Sequence, residues 1–342
     1  MTSDRIRWCM QCNLITASRR CPECGKDVLN IHLDRNSKIS PVFQHQAGYI
    51  RRTIDGRYGE GCGELLLPDG NTALFSTVQG SRQIIADGGI VGKVTDPGDV
   101  SLNASGLRKI DECIVKNIVV CDHDTSYFVS KGRNVMVTGI TECSDGLSKG
   151  DIVAVRDYRG EPIAEGVMRM SSDEIGTSER GVAVAIRDCQ SPRVSTSGKR
   201  NDWKRTIESN SASMRAFAGD TARNIGYLSS SYGYPFVVQL SSGIVSEANL
   251  LLVLDAGFRP SVMIEKEDDF VCYLADKHGL DVITDIPDRC ILITERTGIS
   301  SSDIIPHSPT DDWDQTMVWM YVMMKAEPFD PSYMRRLDDV TE

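Results

Sequence analysis

The sequence predicts a multidomain α+β and α/β protein. Three observations carry that expectation. Two Cys-x-x-Cys pairs stand within the first 24 residues, short β-branched segments recur between residues 113 and 190, and residues 236–257 run strand, small-residue turn, helix.

At 342 residues the chain has room for two or three domains, each with a core of its own. A net charge of −10 argues against a surface that grips nucleic acid all over. The charge is uneven. Residues 191–342 hold 15 Lys+Arg against 23 Asp+Glu, so the preceding 190 residues carry only −2 and are the place to expect a basic patch. The longest apolar run, near residues 250–254, is far too short to span a bilayer, and MTSDRIRWCMQC does not read as a signal peptide. A cytoplasmic protein with no membrane partner is expected. Its eleven cysteines are then thiols and metal ligands in place of disulfides.

Residues 1–30 carry Cys9-x-x-Cys12 and, eight residues on, Cys21-x-x-Cys24. Two such knuckles bring four thiolates around one tetrahedral ion, and so small a segment has too little core to fold without it. A structural zinc ribbon is expected, with Arg19, Arg20 and Lys26 beside the thiolates. Four thiolates leave no open coordination position, so the site is scaffolding or a docking surface. The other seven cysteines have no ligand spacing and are expected to be small buried hydrophobes.

Residues 31–112 form a β-rich region with hairpin signals at Pro68-Asp69-Gly70-Asn71 and Asp87-Gly88-Gly89. Gly59, Gly61 and Gly63 lack strand–helix context and are read as an ordinary loop. Residues 113–190 alternate strand-like segments with turns at short intervals, the pattern of a small barrel. Residues 191–202, SPRVSTSGKRND, are read as a linker, and helical spacing begins at Trp203.

Within the barrel segment, KGRNVMVTGI, LSKGDIVAVRD, EPIAEGVMRMSSDEI and RGVAVAI resemble the PUA domain, an RNA-binding β-barrel of tRNA- and rRNA-modifying enzymes. The resemblance implies that the glycine-containing segment and its neighbouring strands face structured RNA. By position, Lys131, Arg133, Asn134 and Arg169 are the expected contacts, the cations for phosphates and Asn134 for a base edge or 2′-hydroxyl.

The strand, turn and helix of residues 236–257 resemble the PP-loop of the phosphoadenosine-phosphosulfate (PAPS) reductase and ATP-pyrophosphatase superfamily. The final segment, with Trp313, Val318, Trp319, Tyr321 and Pro331-Ser332-Tyr333, resembles a reductase-family phrase and is read as core. Against the family pattern S-G-G-K-D-S, this chain has Ser241, Ser242, Gly243, Ile244, Val245 and Ser246. Ser241, Ser242, Gly243 and Ser246 are thus the candidate nucleotide-binding positions. The missing lysine and aspartate imply weak binding of ATP or PAPS and no catalytic residue. Arg289 and Arg296 are read as partners of nearby carboxylates, and no C-terminal catalytic cysteine follows.

The expected domains are a zinc ribbon (1–30), a pre-PUA β-rich region (31–112), a PUA barrel (113–190), a linker (191–202) and a shortened PP-loop-like α/β domain (203–342). The expected function is binding of tRNA- or rRNA-class RNA. The last domain then serves as a structural or dimerisation module, or as a vestigial nucleotide pocket. The alternative is an active PP-loop enzyme that reduces an activated sulfate or thiolates RNA, with a partner subunit supplying the missing groups.

Overall fold

The computed structural model describes residues 5–34, 37–95, 98–189, 199–264, 269–295 and 303–326. The expected Pro331-Ser332-Tyr333 turn, Arg296 and most of the linker lie outside these residues. The chain divides into two compact units. One comprises Met1–Arg7, Ile15–His32 and Lys204–Glu342; the other comprises Trp8–Leu14 and Leu33–Trp203. No helix among the described residues is long and apolar enough to cross a membrane.

Near the N-terminus three short strands, Arg5–Cys9, Leu14–Ile15 and Leu29–His32, form a sheet with Arg5–Cys9 in the centre.

The β-rich region is a five-stranded antiparallel meander of strands Lys38–Pro41, Ala73–Val78, Ser81–Ala86, Gly89–Thr95 and Asp99–Leu102. The turn expected at Asp87-Gly88 joins Ala86 to Gly89 across the ladder. Asp87 and Gly88 both have positive φ, +48° and +79°, the geometry that lets a two-residue hairpin follow strand twist. The hairpin expected at residues 68–71 is corrected. The leucines before it end the helix Cys62–Leu66, so Pro68-Asp69-Gly70-Asn71 is a helix-to-strand turn closed by the Asn71 N–H on the Pro68 carbonyl. Helix Gln44–Tyr58 lays Ile50, Ile54 and Tyr58 on this region's core.

Residues 117–189 fold into a six-stranded sheet whose order is Val135–Met136, Val182–Asp188, Pro162–Met168, Ile152–Arg156, Ile118–Cys121, Ile140–Cys143. All neighbours are antiparallel except the parallel pair Ile152–Arg156 and Ile118–Cys121. Val119, Val129, Val153, Val155 and Val184 are buried in one cluster. The strand expected at residues 135–137 ends at Met136, and a 3-10 turn follows at Val137–Gly139.

The helical spacing after the linker is one 30-residue helix, Trp203–Tyr232. Its buried stripe includes Ile207, Asn210, Met214, Ala218 and Ile225, about one residue per turn. Buried Asn210 takes the Ala17 N–H at 2.8 Å and donates to the Ile15 carbonyl at 2.9 Å, so its burial leaves no amide group unmatched.

Beyond the helix lies a five-stranded parallel sheet of order Val282–Ile283, Ser261–Ile264, Phe236–Leu240, Cys290–Ile293, Ile304–His307. Chain order runs outward from Phe236–Leu240 in one direction and then the other. A topological switch point therefore falls between Phe236–Leu240 and Cys290–Ile293, the place where open α/β sheets open a crevice. Trp313, Val318, Trp319 and Tyr321 are buried as expected, with Trp313 edge-on to Tyr321 at 5.4 Å. Of the seven remaining cysteines, Cys62, Cys121 and Cys290 are buried as expected, Cys113, Cys143 and Cys189 are only half-buried, and Cys272 is exposed because it lies on the outer face of helix Asp269–His278. Burial pushes the Cys62 and Cys121 thiols up to about 12, which makes them inert hydrophobes at neutral pH.

Candidate nucleic-acid interface

Strand Ile118–Cys121 leads into a short helix, His123–Val129, capped where the Asp122 carboxylate accepts the Thr125 N–H at 2.7 Å. The helix turns Ser126 and Val129 inward. Its carbonyls then close a tight turn. Lys131 and Arg133 N–H groups bond the Phe128 carbonyl at 3.0 and 3.1 Å, and the Gly132 N–H bonds that of Val129 at 2.9 Å. Gly132 sits at φ +83°, where a side chain would be strained. The turn leaves Lys131, Arg133 and Asn134 exposed.

Asn134 is partly spent on the fold. Its Oδ1 accepts the Ile186 N–H at 3.1 Å, which fixes the amide's orientation and leaves its NH2 group and one lone pair for a ligand. Arg169 is exposed just after strand Pro162–Met168, its backbone N–H on the Ala183 carbonyl. Val135 and Met168 both flank Val184, one on each side. Strand geometry thus spaces Asn134 and Arg169 by about 10 Å across the sheet and about 7 Å along it. Lys131, Arg133 and Asn134 stand on the turn that leads into the edge strand Val135–Met136, and Arg169 follows a strand two places in, a spacing suited to successive phosphates of a folded strand rather than one small anion.

The sheet that carries these residues is anchored by Glu165, wholly buried on strand Pro162–Met168. Its carboxylate takes the Tyr58 hydroxyl at 2.7 Å, the Ser101 hydroxyl at 2.7 Å, the Leu102 N–H at 3.1 Å and the Arg57 guanidinium at 3.3 Å. Burial pushes the carboxyl above the usual range, while Arg57 and the hydroxyl donors pull it back. No periodicity in the sequence marks this group.

Cys9, Cys12, Cys21 and Cys24 bring their sulfur atoms within 4.8 Å of one another. A zinc ion with bonds of about 2.3 Å needs sulfurs roughly 3.8 Å apart, so the set closes on such an ion with small side-chain adjustments. The Cys12 N–H points at the Cys9 sulfur at 3.4 Å, and the Cys21 carbonyl and N–H bond Gly25 and Lys26, the backbone of a metal knuckle. Arg20 pairs with Asp27 at 3.8 Å. Four thiolates, three of them buried, are the donor chemistry of a closed structural zinc site.

Ser241, Ser242 and Gly243 lie at the C-terminal end of strand Phe236–Leu240, at the switch point and before helix Ile244–Asp255. The loop's polar groups satisfy one another. The buried Ser246 hydroxyl lies 2.8 Å from the Ser241 carbonyl and 2.9 Å from that of Gly243, and accepts the Ser241 N–H at 3.1 Å. The Gly243 N–H donates to the Ser241 hydroxyl at 3.2 Å. Glu247, also buried, puts a carboxyl in the first helical turn, where a phosphate would otherwise profit from the helix dipole. Arg289 stands 3.7 Å from Asp303, a carboxylate partner as expected.

Sequence reasoning passed over the aromatics of the barrel segment. Tyr127 and Phe128 are adjacent on a helix, so both cannot share the inward face with Val129, and that adjacency was the available signal.

Residues 117–189 match the family model described as PUA domain, and the chain carries that domain. The uncharacterized protein MJ0066 of Methanocaldococcus jannaschii is 24% identical over 192 residues, 53% of this chain and 39% of that protein. The probable tRNA pseudouridine synthase B of the same organism is 36% identical over 81 residues, 24% of this chain and 22% of that protein. The chain therefore spans well under half the length of these relatives. A conserved PUA domain protein from Thermoplasma acidophilum is similar over 46% of this chain and 96% of its own, at 19% identity and a TM-score of 0.39.

Proposed function

We propose that this chain, with a PUA domain at residues 117–189, is an RNA-binding protein of the tRNA or rRNA class. The observation that carries the reading is the domain match itself, joined to the exposed Lys131, Arg133, Asn134 and Arg169 within that domain. A relative that is 36% identical over 81 residues is a probable tRNA pseudouridine synthase B, which favours the same class of RNA. Cations at Lys131, Arg133 and Arg169 meet phosphates, and Asn134 donates to an acceptor in the groove.

The flanking segments support that role. Residues 1–30 form a zinc ribbon held by Cys9, Cys12, Cys21 and Cys24, followed in the chain by the β-rich region of residues 31–112. Beyond a linker at 191–202, residues 203–342 are a PP-loop-like α/β domain that has lost catalysis and serves as a structural or dimerisation module. Ile244 and Val245 offer no charge, and Ser246 and Gly243 use their polar atoms on the loop itself, which supports the silent reading.

The test is a titration of labelled tRNA and an rRNA helix with the whole chain across salt concentrations. Three phosphate-binding cations give a slope of log affinity against log salt of about −2 to −3. Lys131→Glu with Arg133→Glu removes about two units of that slope. Binding that ignores salt, or none at all, overturns the proposal.

A further inference from the structure

We propose that Cys62 and Cys113 form a redox-active dithiol, which a peroxide closes to a disulfide and a thiol reductant reopens. The inference is independent of the RNA-binding reading. It starts from the glycine-rich stretch RYGEGCG, residues 57–63, which the sequence alone presents as an ordinary loop.

Its glycines stand where two segments of backbone close on each other. The Val115 N–H bonds the Tyr58 carbonyl at 3.0 Å, and the Cys62 N–H bonds that of Gly59 at 3.3 Å. A side chain on Gly59 would lie 2.9 Å from the Cys113 carbonyl, and one on Gly61 would lie 3.5 Å from the Cys113 sulfur. Both glycines also have positive φ, +140° and +90°, so the turn requires them for conformation as well as for space. Gly63, in helix Cys62–Leu66, leaves no room for a side chain against the Arg51 carbonyl. This packing brings Cys62 and Cys113 together: Cys62 is wholly buried in the core of the β-rich region, and Cys113 packs against that core.

The surroundings give the two thiols different parts. Cys113 is half-buried, its sulfur 3.9 Å from the Glu60 carbonyl, and it is the one a solute reaches first. Burial, and after it the neighbouring Cys113, push the Cys62 thiol up to about 12, so Cys62 reacts only with a sulfur delivered beside it. A peroxide oxygen bonds to the Cys113 sulfur as the O–O bond breaks, giving a sulfenic acid and one water. The Cys62 sulfur then attacks that sulfur. The S–S bond forms, the S–O bond breaks, and the sulfenic oxygen leaves with the Cys62 proton as a second water; the two thiols have lost two electrons to the peroxide. Because the second step is intramolecular, proximity offsets the small thiolate fraction of Cys62. The bridge closes a loop that holds the four strands between Ala73 and Leu102, so oxidation staples the β-rich region.

The experiment treats the folded whole chain with hydrogen peroxide, alkylates the remaining thiols and maps tryptic peptides without reduction. Residues 58–82 emerge joined to residues 110–116, and dithiothreitol separates them. The thermal midpoint of the oxidised chain rises by roughly 5–15 °C, and that of Cys113→Ser under the same treatment does not. The peptide map uses the wild type, so it stands whether or not a variant folds. Three results overturn the inference: Cys113 oxidised to a sulfenic or sulfinic acid with no linked pair, a link that forms only in urea, and two thiols that both survive the peroxide.

Discussion

Glu165→Ala should destabilise the unit that carries the PUA domain by about 3–5 kcal/mol, the range for removing one member of a buried ion pair. The figure follows from what the alanine leaves behind. The Tyr58 and Ser101 hydroxyls and the Leu102 N–H, all buried, lose the acceptor they meet at 2.7, 2.7 and 3.1 Å. Each orphaned donor costs about 1–3 kcal/mol. The three share one acceptor and relax together, so the sum falls short of additive. Arg57 is buffered, since Asp99 lies 3.2 Å from it and the Val100 carbonyl also accepts from it. Those donors belong to helix Gln44–Tyr58 and strand Asp99–Leu102, so the loss weakens the attachment of the barrel to the β-rich region. Urea unfolding followed by circular dichroism reads it directly. At a slope of about 2 kcal/mol per molar, the midpoint moves down by roughly 1.5–2.5 M. Glu165→Gln keeps one acceptor oxygen but faces an amide group toward a donor, and falls between wild type and alanine. A loss under about 1 kcal/mol in the alanine variant would refute the claim that this network is satisfied and dry.

Elemental analysis of the purified chain should find one zinc per molecule, and Cys24→Ser or a strong chelator should release it and unfold residues 5–32; a metal-free, folded ribbon would refute the tetrathiolate site. Ser246→Ala should cost about 1–2 kcal/mol in urea unfolding, because the Ser241 N–H loses its acceptor, and should change no nucleotide turnover. Pyrophosphate release by the wild type that this substitution abolishes would establish the enzyme reading. Burial pushes the His307 imidazole below its ordinary 6.5, so the unfolded chain binds that proton more readily than the native one. Its contribution to stability is then complete above pH 6.5 and is lost as pH falls toward the lowered value, and His307→Gln should flatten that decline in a pH series of unfolding midpoints.

What could be read in the letters was what adjacent residues enforce on one another. The spacing of Cys9, Cys12, Cys21 and Cys24 demands a shared ion, and the four sulfurs do converge. Asp87-Gly88 tolerates positive φ and makes the hairpin it advertises. The PUA phrases locate a domain that the family model also finds. The hairpin expected at residues 68–71 failed because Leu65, Leu66 and Leu67 suit a helix end as well as a strand, and packing made the choice.

The sequence by itself therefore determined the cysteine knuckles, the Asp87-Gly88 turn and the place of the PUA domain, since each depends on neighbours within a few residues or on the phrases of one segment. Only the tertiary structure decided that Glu165 would be bonded by Arg57 from 108 residues away, that the Asn134 carbonyl would accept the Ile186 N–H, and that Tyr127 and Phe128 would face solvent. Those outcomes turn on which distant backbone arrives with an unsatisfied donor or an apolar face. Free energy settles that question over the whole fold at once, beyond the reach of any local pattern.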